Sequence, residues 1–137
     1  CATKYILVEF PPYIKTEDML LWVKEIISMG YVPVIAHIER YKKVVADLAG
    51  VQAVRGLGAL VQVNIRSVNE FNLKGRRFIK WLVSNRYVDF LGGDVHNDPI
   101  EQKELDKCSK FIIKYSDEQY LEELLSTNAK KYLLRQG

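Results

Sequence analysis

Short apolar runs alternate with longer stretches of helical period along most of the chain. Tyr5-Ile6-Leu7-Val8-Glu9-Phe10 is apolar and rich in β-favouring residues, is closed by Pro11-Pro12, and predicts a buried strand. Thr16 offers an N-cap, with Glu17 and Asp18 in the first turn, where carboxylates suit the helix dipole. Leu20, Leu21, Val23, Lys24 and Ile27 carry the stripe onward until Gly30 stops it. Val32 to Ala36 predicts the second strand. Helical turns follow from Tyr41 to about Arg55, with Val44, Val45 and Leu48 on one face and a break expected at Gly50. Ala59 to Asn64 predicts the third strand. A helix over about Lys74 to Asn85 carries Phe78, Ile79, Leu82 and Val83 on one buried face. Val88 to Leu91 is the fourth strand, ending at Gly92-Gly93. The remainder predicts helices over about Ile100 to Tyr115 and Asp117 to Leu125, then a last one capped by Asn128.

Strands separated by helices point to an α/β fold with a parallel sheet and right-handed crossovers. Each strand stops on or near a polar residue, at positions 9, 37, 64 and 94, and these intervals are nearly constant. That is the pattern of a (β/α) barrel whose site lines the C-terminal rim of its strands. A whole barrel needs about 250 residues, so four βα units and a helical tail predict a partial barrel, with residues 1–137 as its single domain. The competing architecture is a complete open four-stranded sheet. The chain begins Cys1-Ala2-Thr3 and enters a strand at once, from which we expect the C-terminal portion of something longer.

Composition narrows the classes. Apolar residues make up 48% of the 137 and charged residues 27%, enough to fill one soluble core. A net charge of +3, with no run of five basic residues, gives no nucleic-acid footprint. No apolar run approaches the ~18 residues of a membrane span, and no export signal is visible. Two isolated cysteines, Cys1 and Cys108, make neither a disulfide framework nor a metal knuckle. A cytoplasmic setting is expected.

The chemistry gathers at strand ends. The only two histidines fall there: His37 after Val34-Ile35-Ala36, and His96 just past Gly93-Asp94-Val95. Asp94 and His96, two apart, project to one side if that segment is extended. Glu9 follows an apolar run, where an ionised carboxylate needs a cation or donors. Glu9, His37, Asp94 and His96 are thus candidate ligands for Mn²⁺, Zn²⁺ or Fe. Taken singly, each could equally be a cap or a satisfied structural residue. Arg40 lies on the same rim and could grip a phosphate through two parallel hydrogen bonds, or pair with Glu39 instead. Asn64, with Gln62 on the same strand face, is a candidate pocket residue.

Other routes fail. Cys108 has Lys114 rather than Arg six positions on, so a cysteine-based phosphatase loop is absent. Gly56-Leu57-Gly58 is too short for a phosphate loop and precedes a strand, and no Gly-x-Ser-x-Gly elbow occurs. Lys74, Arg76, Arg77 and Lys80 read as a solvated helix face. Tyr115, Tyr120 and Tyr132 read as packing residues with wet hydroxyls.

Three strings, Leu7-Val8-Glu9-Phe10-Pro11, Gly30 through Tyr41 (with Ala36-His37-Ile38-Glu39-Arg40-Tyr41), and Gly93-Asp94-Val95-His96-Asn97, resemble the PHP-type tyrosine phosphatases of bacterial capsule and exopolysaccharide clusters. The resemblance implies a PHP barrel and manganese-dependent dephosphorylation of tyrosine (Fe, Zn or Mg as alternatives). It also implies a phosphotyrosine protein as substrate, typically a partner tyrosine autokinase, and allows a homo-oligomer. By the resemblance Glu9, His37, Asp94 and His96 would be metal ligands and Arg40 catalytic and phosphate-binding; Asn64 is expected to be substrate-binding from its strand-end position alone. The family's N-terminal His-x-His is not in this sequence and is expected upstream of Cys1, Ile38 stands where the family usually has Pro, and Gly93 where it has Ser. Two alternatives stay open: a PHP phosphoesterase for a small metabolite, and a non-catalytic remnant serving as an oligomerisation or binding module.

Overall fold

The computed structural model describes residues 4–70, 72–92 and 101–127. Asp94, His96, the helix expected after Asn128, Cys1 and Tyr132 lie outside the described residues. Four strands, β1 (Tyr5–Val8), β2 (Val32–Ile35), β3 (Leu60–Asn64) and β4 (Phe90–Gly92), form one parallel sheet in the order β1-β2-β3-β4. Between β1 and β2 runs α1 (Thr16–Ser28). Between β2 and β3 come a 3-10 turn (Ile38–Arg40), α2 (Lys42–Val45) and α3 (Leu48–Gly56). Next come α4 (Ile65–Glu70) and α5 (Leu73–Ser84) before β4, then α6 (Gln102–Tyr115), α7 (Glu118–Glu122) and a wide turn over Glu123–Thr127. Each strand lies beside its predecessor, as in a barrel segment, and no reversal of strand order marks a doubly wound sheet. Among the described residues no helix is long and apolar enough to cross a membrane.

The core follows the predicted pattern in the strands and in α5, but Leu21 and Leu48, expected on buried faces, are exposed, and Met19 and Val51 take the inward positions of α1 and α3. Ile35, Val61 and Val63 from the sheet pack in one cluster with Met19, Val23, Val51, Val54, Ile79 and Leu82 from the helices. Cys108 is buried in that cluster, and the apolar surroundings push its thiol up to about 12, so it stays protonated at neutral pH.

Several expectations need correction. The first strand is not buried: Ile6 is 37% and Leu7 58% exposed, because among the described residues β1 is an edge strand flanked by β2 alone. Thr16 is a buried first-turn residue rather than a cap, and Lys15 at the cap position makes no side-chain cap bond. The break between α2 and α3 falls at Ala46-Asp47, where the Asp47 carboxylate accepts the Gly50 N–H at 2.9 Å. Gly50 itself is buried inside α3. The Tyr120 hydroxyl is not wet: it donates to the Val88 carbonyl at 2.5 Å and accepts the Val88 N–H at 3.0 Å. Tyr120→Phe strands both buried backbone groups just before β4. It is expected to lower the free energy of unfolding by about 1–3 kcal/mol in urea denaturation.

Candidate functional site

A parallel sheet puts the C-terminal ends of all its strands on one rim, and the register states which residues meet there. Val8 pairs with Ile35, Ile35 with Val61, and Asn64 with Gly92. Glu9 and His37, each just past its strand end, therefore sit on neighbouring positions of that rim, with Asn64 closing the next. β4 stops at Gly92, two residues before Asp94.

The turn after β2 carries most of the site. His37 has φ +37° and ψ 57°, the left-handed region, in which histidine is uncommon but enriched among non-glycine residues. This kink ends the strand and redirects the chain into the 3-10 turn. The His37 N–H donates to Gln62 Oε1 across the sheet at 3.3 Å, so Gln62 supports the turn from β3. Local strain of this kind persists only where the surroundings fix it.

Tyr41 gathers the rim residues. It is 1% exposed, its hydroxyl accepts the Phe10 N–H at 3.0 Å, and its ring lies 5.8 Å from that of His37. Burial raises its phenol above the ordinary value, and the nearby charge of Glu9 pushes the same way, against the Phe10 N–H. One side chain thus ties the segment after β1 to the turn after β2. Sequence reading gave Tyr41 no role beyond opening a helix; its place in the string that ends the second strand was the only signal.

Glu39 is the residue that sequence reading undervalued. It is 3% exposed, and its Oε2 accepts the Asn64 N–H at 3.3 Å, while Oε1 has no hydrogen-bond partner among the described residues. Burial raises its carboxyl above the usual carboxylate range. The Ser67 hydroxyl, nearby backbone N–H groups and the Arg40 charge act against that rise. Asn64 is buried as well, and its Oδ1 accepts the Arg66 N–H at 2.9 Å, opening α4. Arg40 is exposed and faces a cavity of about 600 Å³ shared with Glu39, Lys42, Asn72 and Lys74.

Among the described residues no three His, Cys, Asp or Glu side chains cluster as metal ligands would. Glu9 and His37, a carboxylate and an imidazole drawn toward Tyr41 from adjacent strand ends, are the part of the expected donor set that is described. An oxygen–nitrogen pair of this kind suits a first-row divalent cation. The fold therefore brings Glu9, His37, Arg40 and Asn64 to one rim, while Asp94 and His96 lie outside the described residues.

Residues 1–134 match the family model for capsular polysaccharide synthesis proteins of the CpsB/CapC type. The chain belongs to the CpsB/CapC family. It is 27% identical to the tyrosine-protein phosphatase CpsB of Streptococcus agalactiae serotype III (strain NEM316), over 96% of this chain and 56% of that protein. It is 31% identical to a putative tyrosine-protein phosphatase CapC of Staphylococcus aureus, over 92% and 52% respectively. In fold it matches a chain from the crystal structures of YwqE from Bacillus subtilis and CpsB from Streptococcus pneumoniae, described as metal-dependent tyrosine phosphatases. That match has a TM-score of 0.81 and 24% identity, and covers 98% of this chain and 55% of the other. The chain thus spans about half the length of the relatives it matches. The family expected from the three strings is the one found, and the α/β architecture agrees with it.

Proposed function

We propose that this CpsB/CapC chain carries part of the active site of a metal-dependent protein tyrosine phosphatase in capsule or exopolysaccharide regulation, residues 1–137 forming the C-terminal portion of a PHP barrel. The observation that carries this reading is the parallel register, which aligns Glu9 and His37 with the end of β4 on one rim. Glu9, His37, Asp94 and His96 would hold the metal, manganese in our reading, with Fe, Zn or Mg as substitutes. When bound, that metal supplies Lewis-acid activation of water for phosphomonoester hydrolysis. Arg40 would clamp two phosphoryl oxygens through parallel N–H bonds and stabilise the charge that grows on them in the transition state. Asn64, its Oδ1 already engaged, would offer Nδ2 as a further donor. Tyr41 orients Glu9 and His37, and Glu39 with Gln62 hold the turn on which His37 and Arg40 sit.

The substrate would be a phosphotyrosine protein, a tyrosine autokinase in the same cytoplasmic compartment being the partner in view. Among the described residues β1 pairs with β2 on one side, and at its other edge the rest of a barrel, or a second copy, could add a strand. Four ligands are too few for a multinuclear centre. We therefore expect this chain alone to bind Mn²⁺ weakly and to turn over p-nitrophenyl phosphate poorly. The test is Mn²⁺ binding followed by electron paramagnetic resonance, for the chain and for His37→Ala and Asp94→Ala. Each substitution is expected to weaken binding by about 10- to 100-fold. Equal binding by all three proteins would overturn the ligand assignment, and robust Mn²⁺-dependent turnover by the chain alone would overturn the incomplete site. Preference for a phosphotyrosine peptide over histidinol phosphate separates the protein phosphatase from a metabolite phosphoesterase.

A further inference from the structure

Exposed apolar surface is concentrated at one end of the sheet. Among the described residues, seven of the eleven exposed large apolar side chains lie within residues 6–31, on β1, α1 and the loops that flank them. Such a concentration marks an interaction surface, whereas the other four are scattered singly over different elements. β1 is an edge strand there, and Tyr5-Ile6-Leu7-Val8 carries none of the charges or prolines that guard an edge against pairing.

The helix beside that strand repeats the pattern. α1 turns Thr16 toward α3, where the missing side chain of Gly50 gives it room, and buries Met19 and Val23. At 3.6 residues per turn, the flank turned away from α3 recurs at every seventh position: Lys15, Trp22 and Met29, with Asp18 and Glu25 alongside. All five are exposed, Trp22 and Met29 by 58% each. Ile6 lies on the same side of the sheet as α1, since it is two residues from Val8, whose partner Ile35 is buried in the helix-covered core.

The charges on this flank suit a second copy of itself. Lys15 stands at its N-terminal end and Glu25 in its last turn, so an antiparallel mate sets opposite charges against each other. A twofold axis normal to the sheet gives that arrangement, because it makes adjoining β1 strands antiparallel and keeps both α1 helices on one side. We propose that β1 and α1 form a twofold interface between two copies of this chain. The β1 strands pair edge to edge into one eight-stranded sheet, and the α1 helices pack antiparallel through Trp22 and Met29, with Lys15 and Glu25 fixing their direction. None of Glu9, His37, Arg40 or Asn64 takes part, so the inference stands apart from the phosphatase reading and a failed Mn²⁺ titration would leave it untouched.

The experiment is sedimentation equilibrium of the 137-residue chain, with circular dichroism checking the fold of every variant. One strand pair and one helix pair make a small interface, so a dimer of twice 15.9 kDa is expected with a dissociation constant of about 1–100 µM. Trp22→Glu and Leu7→Lys, both at exposed positions, should each raise that constant by about tenfold or more. Lys15→Glu and Glu25→Lys should each raise it about threefold at low salt, and the two together should return it to the parent value. A chain that is monomeric throughout overturns the interface and leaves the edge to further barrel strands. A dimer indifferent to Trp22→Glu and Leu7→Lys, growth beyond the dimer, or a double charge reversal that stays as weak as the single ones overturns it equally.

Discussion

Arg55→Met is expected to lower stability by about 3 kcal/mol at neutral pH, and by much less in acid. Arg55 Nη1 lies 2.5 Å from Asp89 Oδ2 and 2.8 Å from the Tyr87 carbonyl, and its guanidinium stacks 5.0 Å from the Tyr87 ring. The same Asp89 oxygen accepts the Val61 N–H at 2.9 Å, and the Asp89 N–H donates to the Val61 carbonyl at 2.8 Å. This latch joins α3, β3 and the entry to β4. Burial already raises the Asp89 carboxyl above its ordinary value, with the Arg55 charge and hydrogen bond opposing that rise. Methionine keeps the stacking volume and removes the charge, so a largely buried carboxylate loses the cation beside it while keeping the Val61 N–H. That loss exceeds what an exposed ion pair is worth.

The folded-state pKa of Asp89 then moves further above its unfolded value of about 4. Between the two values the native chain holds a proton that the unfolded chain has released, so stability falls as pH rises through that window. The deficit should therefore be full at neutral pH and shrink as the pH falls towards about 4. Asp89→Asn is expected to cost about 1 kcal/mol at neutral pH, because its carboxamide oxygen can still accept the Val61 N–H. Urea titrations of the parent and both variants between about pH 4 and 8 measure this. A loss for Arg55→Met that stays constant with pH would assign the effect to packing and refute the latch. Because β4 ends two residues before Asp94, a loosened latch should also weaken Mn²⁺ binding in the variant while it remains folded.

What the sequence made legible follows from where the information lies. The strands announced themselves because β-branched runs such as Val32-Pro33-Val34-Ile35 are bounded by glycine, proline or polar residues, a local signal. α5 was equally plain, since Phe78, Ile79, Leu82 and Val83 recur at helical spacing within one element. α4 escaped notice because six residues, Ile65 to Glu70, are too short to display a period. Its start is set by the Asn64 carboxamide accepting the Arg66 N–H, which resembles any polar strand end. The exposure of β1 was invisible for the opposite reason: its residues are apolar, and Leu7 is open because, among the described residues, β1 has β2 as its one neighbour in the sheet.

The rim was legible in its spacing and not in its supports. Polar residues at 9, 37 and 64 could be placed on successive strand ends because the sheet is parallel and each βα unit has similar length. Glu39 looked like a partner for Arg40 because the two adjoin in sequence. Its burial depends on Asn64 and Ser67, a strand away, and no local pattern encodes that. Tyr41 is the same case, since its hydroxyl meets Phe10, 31 residues earlier. Residues that bear chemistry sit at element ends and can be found by position. Residues that hold them in place are found only once the elements are packed.

Gly50→Ala should be strongly destabilising, by about 2–3 kcal/mol, although alanine in place of a helical glycine ordinarily gains about 1 kcal/mol. A Cβ at Gly50 would overlap Thr16 Cγ2 and come within 2.6 Å of Asp47 Oδ2, the oxygens of the carboxylate that caps α3. Thr16 is buried in the first turn of α1, so the close approach of α1 and α3 depends on the missing side chain. The capping bond from Gly50 N to Asp47 and the helix contact would both have to yield. Gly56→Ala is the control: it lies in the last turn of the same helix with nothing within 4 Å of the added atom. It should gain about 0.5–1 kcal/mol. Thr16→Ser, which deletes the opposing methyl, should restore part of the loss when combined with Gly50→Ala and cost little alone. Chemical denaturation of the four variants gives this coupling directly. A Gly50→Ala protein as stable as the parent, or a loss that Thr16→Ser leaves untouched, would mean that the two helices are not fixed by this contact. The turn that carries His37 and Arg40 would then be free of it, since α2 and α3 run from that turn into the α1 interface.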